Sequence, residues 1–63
     1  MAQRRLAEVR FFTIKQIAEQ LGVNEKTVRR WIASRELVAI KLNGTVRISE
    51  DDYRTFLALH RTD

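Results

Sequence analysis

Cysteine and proline are absent from this chain, and histidine and tryptophan occur once each, at His60 and Trp31. Without cysteine, neither a disulfide nor a thiolate metal site can stabilise the fold, so buried apolar side chains must do it. That absence is compatible with a reducing cytoplasm, the expected location. Without proline, no helix is interrupted from within. Ser34 and Ser49 are the only serines, and Gly22 and Gly44 the only glycines. A nucleophile–histidine arrangement and a phosphate-cradling glycine loop are therefore missing, and so short a chain has too little length for a closed cleft. The expectation is a protein that is not an enzyme and takes no cofactor, metal or small-molecule ligand. No apolar run approaches a membrane span. The opening MAQRRLAEVR is charged but leads into no apolar segment of secretory-signal length.

What remains is a basic chain of 63 residues, enough for one small domain. Burial is limited at that size, though many such domains fold alone. Twelve Lys and Arg stand against eight Asp and Glu, a net charge of +4 and a pI near 10.4. A basic surplus on so small a surface suggests a polyanionic partner. Placement carries more weight than the total. The acids gather at Glu50, Asp51 and Asp52, while bases gather in two other stretches.

The first of these belongs to Thr13–Arg35, TIKQIAEQLGVNEKTVRRWIASR, which reads as two short helices joined by a tight turn. Thr13 with Gln16 three residues on is a capping-box pattern. Ile14, Ile17, Ala18 and Leu21 recur at helical spacing and form one apolar stripe, with Lys15, Gln16, Glu19 and Gln20 facing outward. Gly22 ends the helix where a left-handed residue is wanted. Asn24 caps the second helix. Its inner stripe is Val28, Trp31 and Ile32, extended by the stem of Arg35; Lys26, Arg29, Arg30 and Ala33 lie opposite. Ala18 suits a close helix crossing, and the link from Leu21 to Asn24 fits a helix-turn-helix. Trp31 has the spacing of a core residue.

The second basic stretch is Glu36 to Ile48. Two β-rich runs flank Asn43-Gly44, a strong hairpin signal. A two-residue turn would set Leu42 opposite Thr45 and Ile40 opposite Arg47, mixing apolar and polar residues on one face. A three-residue loop would set Leu42 opposite Val46 and Ile40 opposite Ile48. Register follows the buried face, so a bulged or longer turn is expected, with Lys41, Asn43, Thr45 and Arg47 near the tip and edge. Ser49 then caps a third helix whose first turn holds Glu50, Asp51 and Asp52, where acids suit the helix dipole. No nearby His, Cys or Asn cluster completes a metal shell for them. Tyr53, Phe56, Leu57 and His60 share a face that closes the core. Leu59 lies off it, either exposed or in contact with another copy. His60 suits a helix end.

Residues 1–10 are expected to be a basic, flexible arm ahead of a single domain, 11–63. Arg4, Arg5 and Arg10 either touch the polyanion or belong to a frayed terminus. Phe11 or Phe12 packs near Ile17 as a hydrophobic staple; alternatively, Arg10 to Phe12 form a short strand beside the hairpin.

The pattern FFTIKQIAEQLGVNEKTVRRWI followed by ELVAIKLNGTVRISEDDYRTFL, from Phe11 to Leu57, resembles the excisionase-type small winged-helix proteins, relatives of the MerR-type DNA-binding domain. The resemblance implies a mainly α fold with a β-hairpin: three short helices and a two-stranded wing in the order α-α-β-β-α. It implies double-stranded DNA as partner, with the second helix in the major groove, the one that admits it. Asn24, Glu25, Lys26, Arg29 and Arg30 then reach the DNA. Of Arg29 and Arg30, one meets a base and one a phosphate, the order left open. Glu25 either accepts from cytosine or serves the helix N-terminus, and Asn24 and Thr27 approach phosphates. The wing contributes Lys41, Asn43, Gly44, Thr45 and Arg47. Lys15 and Arg35 are further phosphate candidates, Arg35 being divided between core cover and phosphate.

MerR-type regulators dimerise through a long helix, and no such heptad segment follows here. The expectation is therefore an excisionase, several copies of which bend DNA and help an integrase excise a mobile element. A small transcriptional regulator needs the same residues. A protein-interaction module using Trp31, Leu59 or the hairpin edge is the reading from a different class.

Overall fold

Thr13 opens the first helix through reciprocal bonds: the Gln16 N–H donates to its Oγ1 at 3.0 Å, and its own N–H donates to Gln16 Oε1 at 2.9 Å. In the computed structural model, which describes residues 9–60, a short strand β1 (Phe11–Phe12) precedes that cap. Helix α1 (Ile14–Leu21) follows, then α2 (Glu25–Ala33), strands β2 (Ile40–Leu42) and β3 (Thr45–Ser49), and helix α3 (Glu50–Leu59). The three helices and hairpin have the expected winged helix-turn-helix form. β1 realises the alternative of a strand beside the hairpin.

Helix α1 buries Ile17 and Ala18 and ends at Gly22, whose φ of +71° is left-handed. Asn24 caps α2, its Oδ1 accepting the Thr27 N–H at 2.9 Å. Val28 is fully buried, and Trp31 packs its ring 4.9 Å from that of Phe56. The expectation that Arg35 extends this stripe is corrected. The helix stops at Ala33, and Arg35 stands exposed beyond its cap with φ +68°. The N–H groups of Glu36 and Leu37 both donate to the Trp31 carbonyl, at 2.9 and 3.1 Å. That reversal drops Leu37, 1% exposed, into the core instead.

The sheet order is β1-β3-β2, both pairings antiparallel. The hairpin register differs from expectation: Ile40 faces Arg47, Lys41 faces Val46 and Leu42 faces Thr45. The turn is thus the strict two-residue one. Asn43 and Gly44 have φ of +52° and +77°, the signs that a type I′ turn requires at both positions and that match the strand twist. Turn chemistry wins because the buried face does not need Ile40 or Leu42. Val46 and Ile48 supply it, with Leu37 and Ala39 packed alongside. Ile40 is left 43% exposed on the outer face.

Ser49 caps α3: its Oγ accepts the Asp52 N–H at 3.1 Å and donates to Asp52 Oδ2 at 2.9 Å. Tyr53 and Phe56 close the core. The Phe12 ring meets Tyr53 edge-on at 5.3 Å, and the Tyr53 hydroxyl donates to Gln20 Oε1 at 2.9 Å. Phe12 thereby packs on the cluster that contains Ile17. Leu57, expected on the same inner face, is exposed instead, whereas His60 keeps that face at its solvent-exposed end. His60 stacks on Phe56 at 4.3 Å and brings Nε2 to 3.3 Å from Glu36 Oε1, tying the end of α3 to the turn after α2. Ile17, Val28, Leu37 and Ile48 are fully buried, each contributing roughly 1.5–3 kcal/mol. They come from α1, α2, the α2–β2 turn and β3, so the core itself fixes the hairpin against the helix pair.

Candidate nucleic-acid interface

With Val28 turned inward, the helical period turns Lys26, Arg29 and Arg30 outward, and all three are exposed. Arg29 lies one turn after Glu25, with Nη2 3.3 Å from Glu25 Oε1. Both side chains are solvated there, so the pair orients Arg29 more than it stabilises the helix. Asn24 and Thr27 are mutually engaged. Asn24 Oδ1 accepts both the backbone N–H and, at 3.2 Å, the hydroxyl of Thr27. Their first task is capping, which engages Asn24 through its oxygen and not its amide N–H groups.

The wing residues do not act as one group. Cross-strand pairing sets Lys41 on the face of Val46, whereas Thr45 and Arg47 share the opposite face with Leu42 and Ile40. Arg47 is half-buried, and its Nη1 donates to the Val46 carbonyl at 2.9 Å. Lys41, Asn43, Gly44 and Thr45 are exposed.

Between the helices and the wing lies an open cleft of about 350 Å³, lined by Thr13, Ile14, Lys15, Arg29, Gly44, Thr45, Val46 and Arg47. The fold therefore brings together Lys15 from α1, Arg29 from α2 and Gly44, Thr45 and Arg47 from the wing, residues scattered through the sequence. Lys26 and Arg30 continue the basic surface along α2, while Lys41, Asn43 and Arg35 do not line the cleft. Arg4 and Arg5 of the expected arm lie outside the described residues; Arg10 is exposed, its carbonyl accepting the Glu50 N–H at 2.9 Å. Sequence reasoning missed Thr13 and Val46, because no local pattern announces that the start of α1 meets the side of β3.

The acids occupy the other end of β3. Glu50, Asp51 and Asp52 follow Ser49, with Glu50 3.4 Å from Arg54. Two displaced pKa values have structural causes away from the basic surface. The Ser34 hydroxyl, then His60, lowers the Glu36 carboxyl below the usual range. Burial raises the Tyr53 phenol. No helix among the described residues is long and apolar enough to cross a membrane.

A family model described as a helix-turn-helix domain matches residues 11–58, from β1 almost to the end of α3. No curated protein and no solved structure matches the chain significantly.

Proposed function

The chain belongs to the helix-turn-helix domain family, a DNA-binding family, and on that premise we propose that it reads attachment-site DNA as an excisionase-type factor and directs an integrase towards excision. The observation that carries the DNA contact is the meeting of Lys15, Arg29 and Arg47 around one cleft between the helix pair and the wing, with Lys26 and Arg30 exposed on the same helix as Arg29. Helix α2 enters the major groove and the hairpin lies beside it against the backbone. Asn24, Glu25, Lys26, Thr27, Arg29 and Arg30 form the recognition set; Lys41, Asn43, Gly44, Thr45 and Arg47 form the wing set, with Lys15 and Arg35 on the flanks. Residues 11–63 act as the binding domain and 1–10 as a basic arm.

The excisionase role rests on the ordered resemblance of the helix pair, hairpin and closing helix. A single module buries on the order of 600–1,000 Å² against DNA, so a firm site needs several copies or a partner protein. The test is a gel titration, across salt, of DNA fragments from the protein's own genomic neighbourhood. Stepwise, salt-sensitive binding to one fragment with altered bending supports the proposal. A single complex over a promoter without bending identifies a MerR-like regulator instead. No salt-dependent binding to any fragment sinks the DNA reading and leaves a protein-interaction module.

A further inference from the structure

We propose that the cleft between α1, α2 and β3 is a seat for one phosphodiester group of the DNA backbone. It follows that Arg29 grips backbone, while Arg30, one position on and outside the cleft, is left to read bases. This rests on the DNA-binding reading and deepens it.

The seat arises from an interrupted sheet. β1 pairs only Phe11 with Ser49 and Phe12 with Ile48, after which the chain turns into α1. From Ile48 towards Thr45, β3 has no strand partner on that side among the described residues. Because the turn has two residues, Leu42 and Thr45 form the hydrogen-bonded pair that closes it, and Lys41 and Val46 form the next, non-bonded pair. The N–H and C=O of Val46 therefore point away from β2, towards the opening that α1 leaves. Arg47 Nη1 donates to that carbonyl at 2.9 Å, which anchors its guanidinium at the cleft and occupies the Val46 acceptor. The Val46 N–H remains as a donor beside the guanidinium.

The rest of the lining agrees. Lys15 and Arg29 add two cations, Thr45 adds a hydroxyl, and none of the residues lining the cleft is acidic. A Cβ on Gly44 would meet nothing within 4 Å, so the tip leaves open space rather than a wall. Guanidinium, ammonium, hydroxyl and a backbone N–H on one concave surface are the donor set for a tetrahedral oxyanion. Glu25 occupies only Nη2 of Arg29, leaving the remaining N–H groups of its fork for a second acceptor.

The test uses a duplex selected from random sequence by the wild-type protein, then rebuilt with a neutral methylphosphonate at each position in turn. Lys15→Ala and Arg47→Ala are each expected to weaken binding to the unmodified duplex roughly tenfold, as loss of a phosphate contact does. Both are expected to lose part of wild type's sensitivity to neutralisation at one common position, because each variant keeps the other donors of the cleft. Arg47→Gln, which keeps the stem over the strand, guards against a folding artefact and should behave as Arg47→Ala does. Arg29→Ala should weaken all duplexes alike, whereas Arg30→Ala should relax preference at one base pair. If each variant stays as sensitive as wild type at every position, or if Arg29→Ala relaxes base preference, the seat is refuted while DNA binding stands. If wild type selects no duplex, both readings fall. If inorganic phosphate saturates the Val46 amide shift at micromolar concentration and Arg47→Ala leaves duplex binding unchanged, the cleft serves a free anion and the proposal is overturned.

Discussion

Arg35 holds φ +68° with no glycine to make that conformation easy. A left-handed backbone costs an ordinary L-residue about 1–2 kcal/mol, and glycine is the usual choice just beyond a helix end. Arg35→Gly should therefore raise stability by up to about 1 kcal/mol, read as a shift in the urea midpoint followed by Trp31 fluorescence. The same variant should bind DNA more weakly if the guanidinium reaches a phosphate; unchanged binding would leave the arginine unexplained. Glu36, on the next residue, gives the pH prediction. Its carboxyl is lowered from 4.5 by the Ser34 hydroxyl first and His60 second. A depressed carboxylate contributes stability that is present above the unfolded pKa and lost as pH falls through the folded one. Wild type should thus lose stability in the acid range below about pH 4.5 more steeply than Glu36→Gln. Parallel profiles for the two would show that the exposed pair contributes nothing measurable, as many surface pairs do.

At the scale of elements, the hairpin is the instructive case. Both central turn residues sit at positive φ, so Asn43→Gly should preserve the turn and Gly44→Val should break it, a β-branched residue being among the least tolerant there. The check is the close Hα–Hα contact across the non-hydrogen-bonded pair Lys41 and Val46, retained in the first variant and lost in the second. If Gly44→Val keeps that contact, the turn does not set the register. This element was also the hardest to read from the sequence. The helix caps at Thr13, Asn24 and Ser49 were legible because each is settled within three residues by groups that bond one another. The register was not, because two local rules disagreed: the apolar pattern of Ile40 and Leu42 asked for burial, and Asn43-Gly44 asked for a two-residue turn. Which rule prevails depends on whether the core has room, and Leu37 arriving from the α2–β2 turn fills it. The cleft was illegible for a related reason. Lys15, Arg29 and Arg47 are each legible as candidate cations, but their meeting depends on β1 ending at Phe12.

Across the whole molecule, β3 separates two opposed charges. Its Thr45 end adjoins the cleft and its Ser49 end leads into Glu50, Asp51 and Asp52. Five residues of strand put roughly 13 Å between the two ends, more than the Debye length of about 8 Å at physiological ionic strength. The acidic end is therefore screened from a duplex seated on the basic surface, while groups in contact with that duplex are not. Two variants separate these cases. Asp51→Asn removes one negative charge from the acidic end; it should strengthen DNA binding at low salt and leave it nearly unchanged near 0.15 M. Arg47→Glu reverses a charge at the proposed contact and should weaken binding at both, because a phosphate contact, once removed, is lost at any ionic strength, with a shallower salt slope by about one. Circular dichroism controls for the modest loss of helix-dipole stabilisation expected in Asp51→Asn. Should Asp51→Asn change affinity at physiological salt as much as Arg47→Glu does, the acidic end lies against the DNA and the orientation argued for α2 and the wing is inverted.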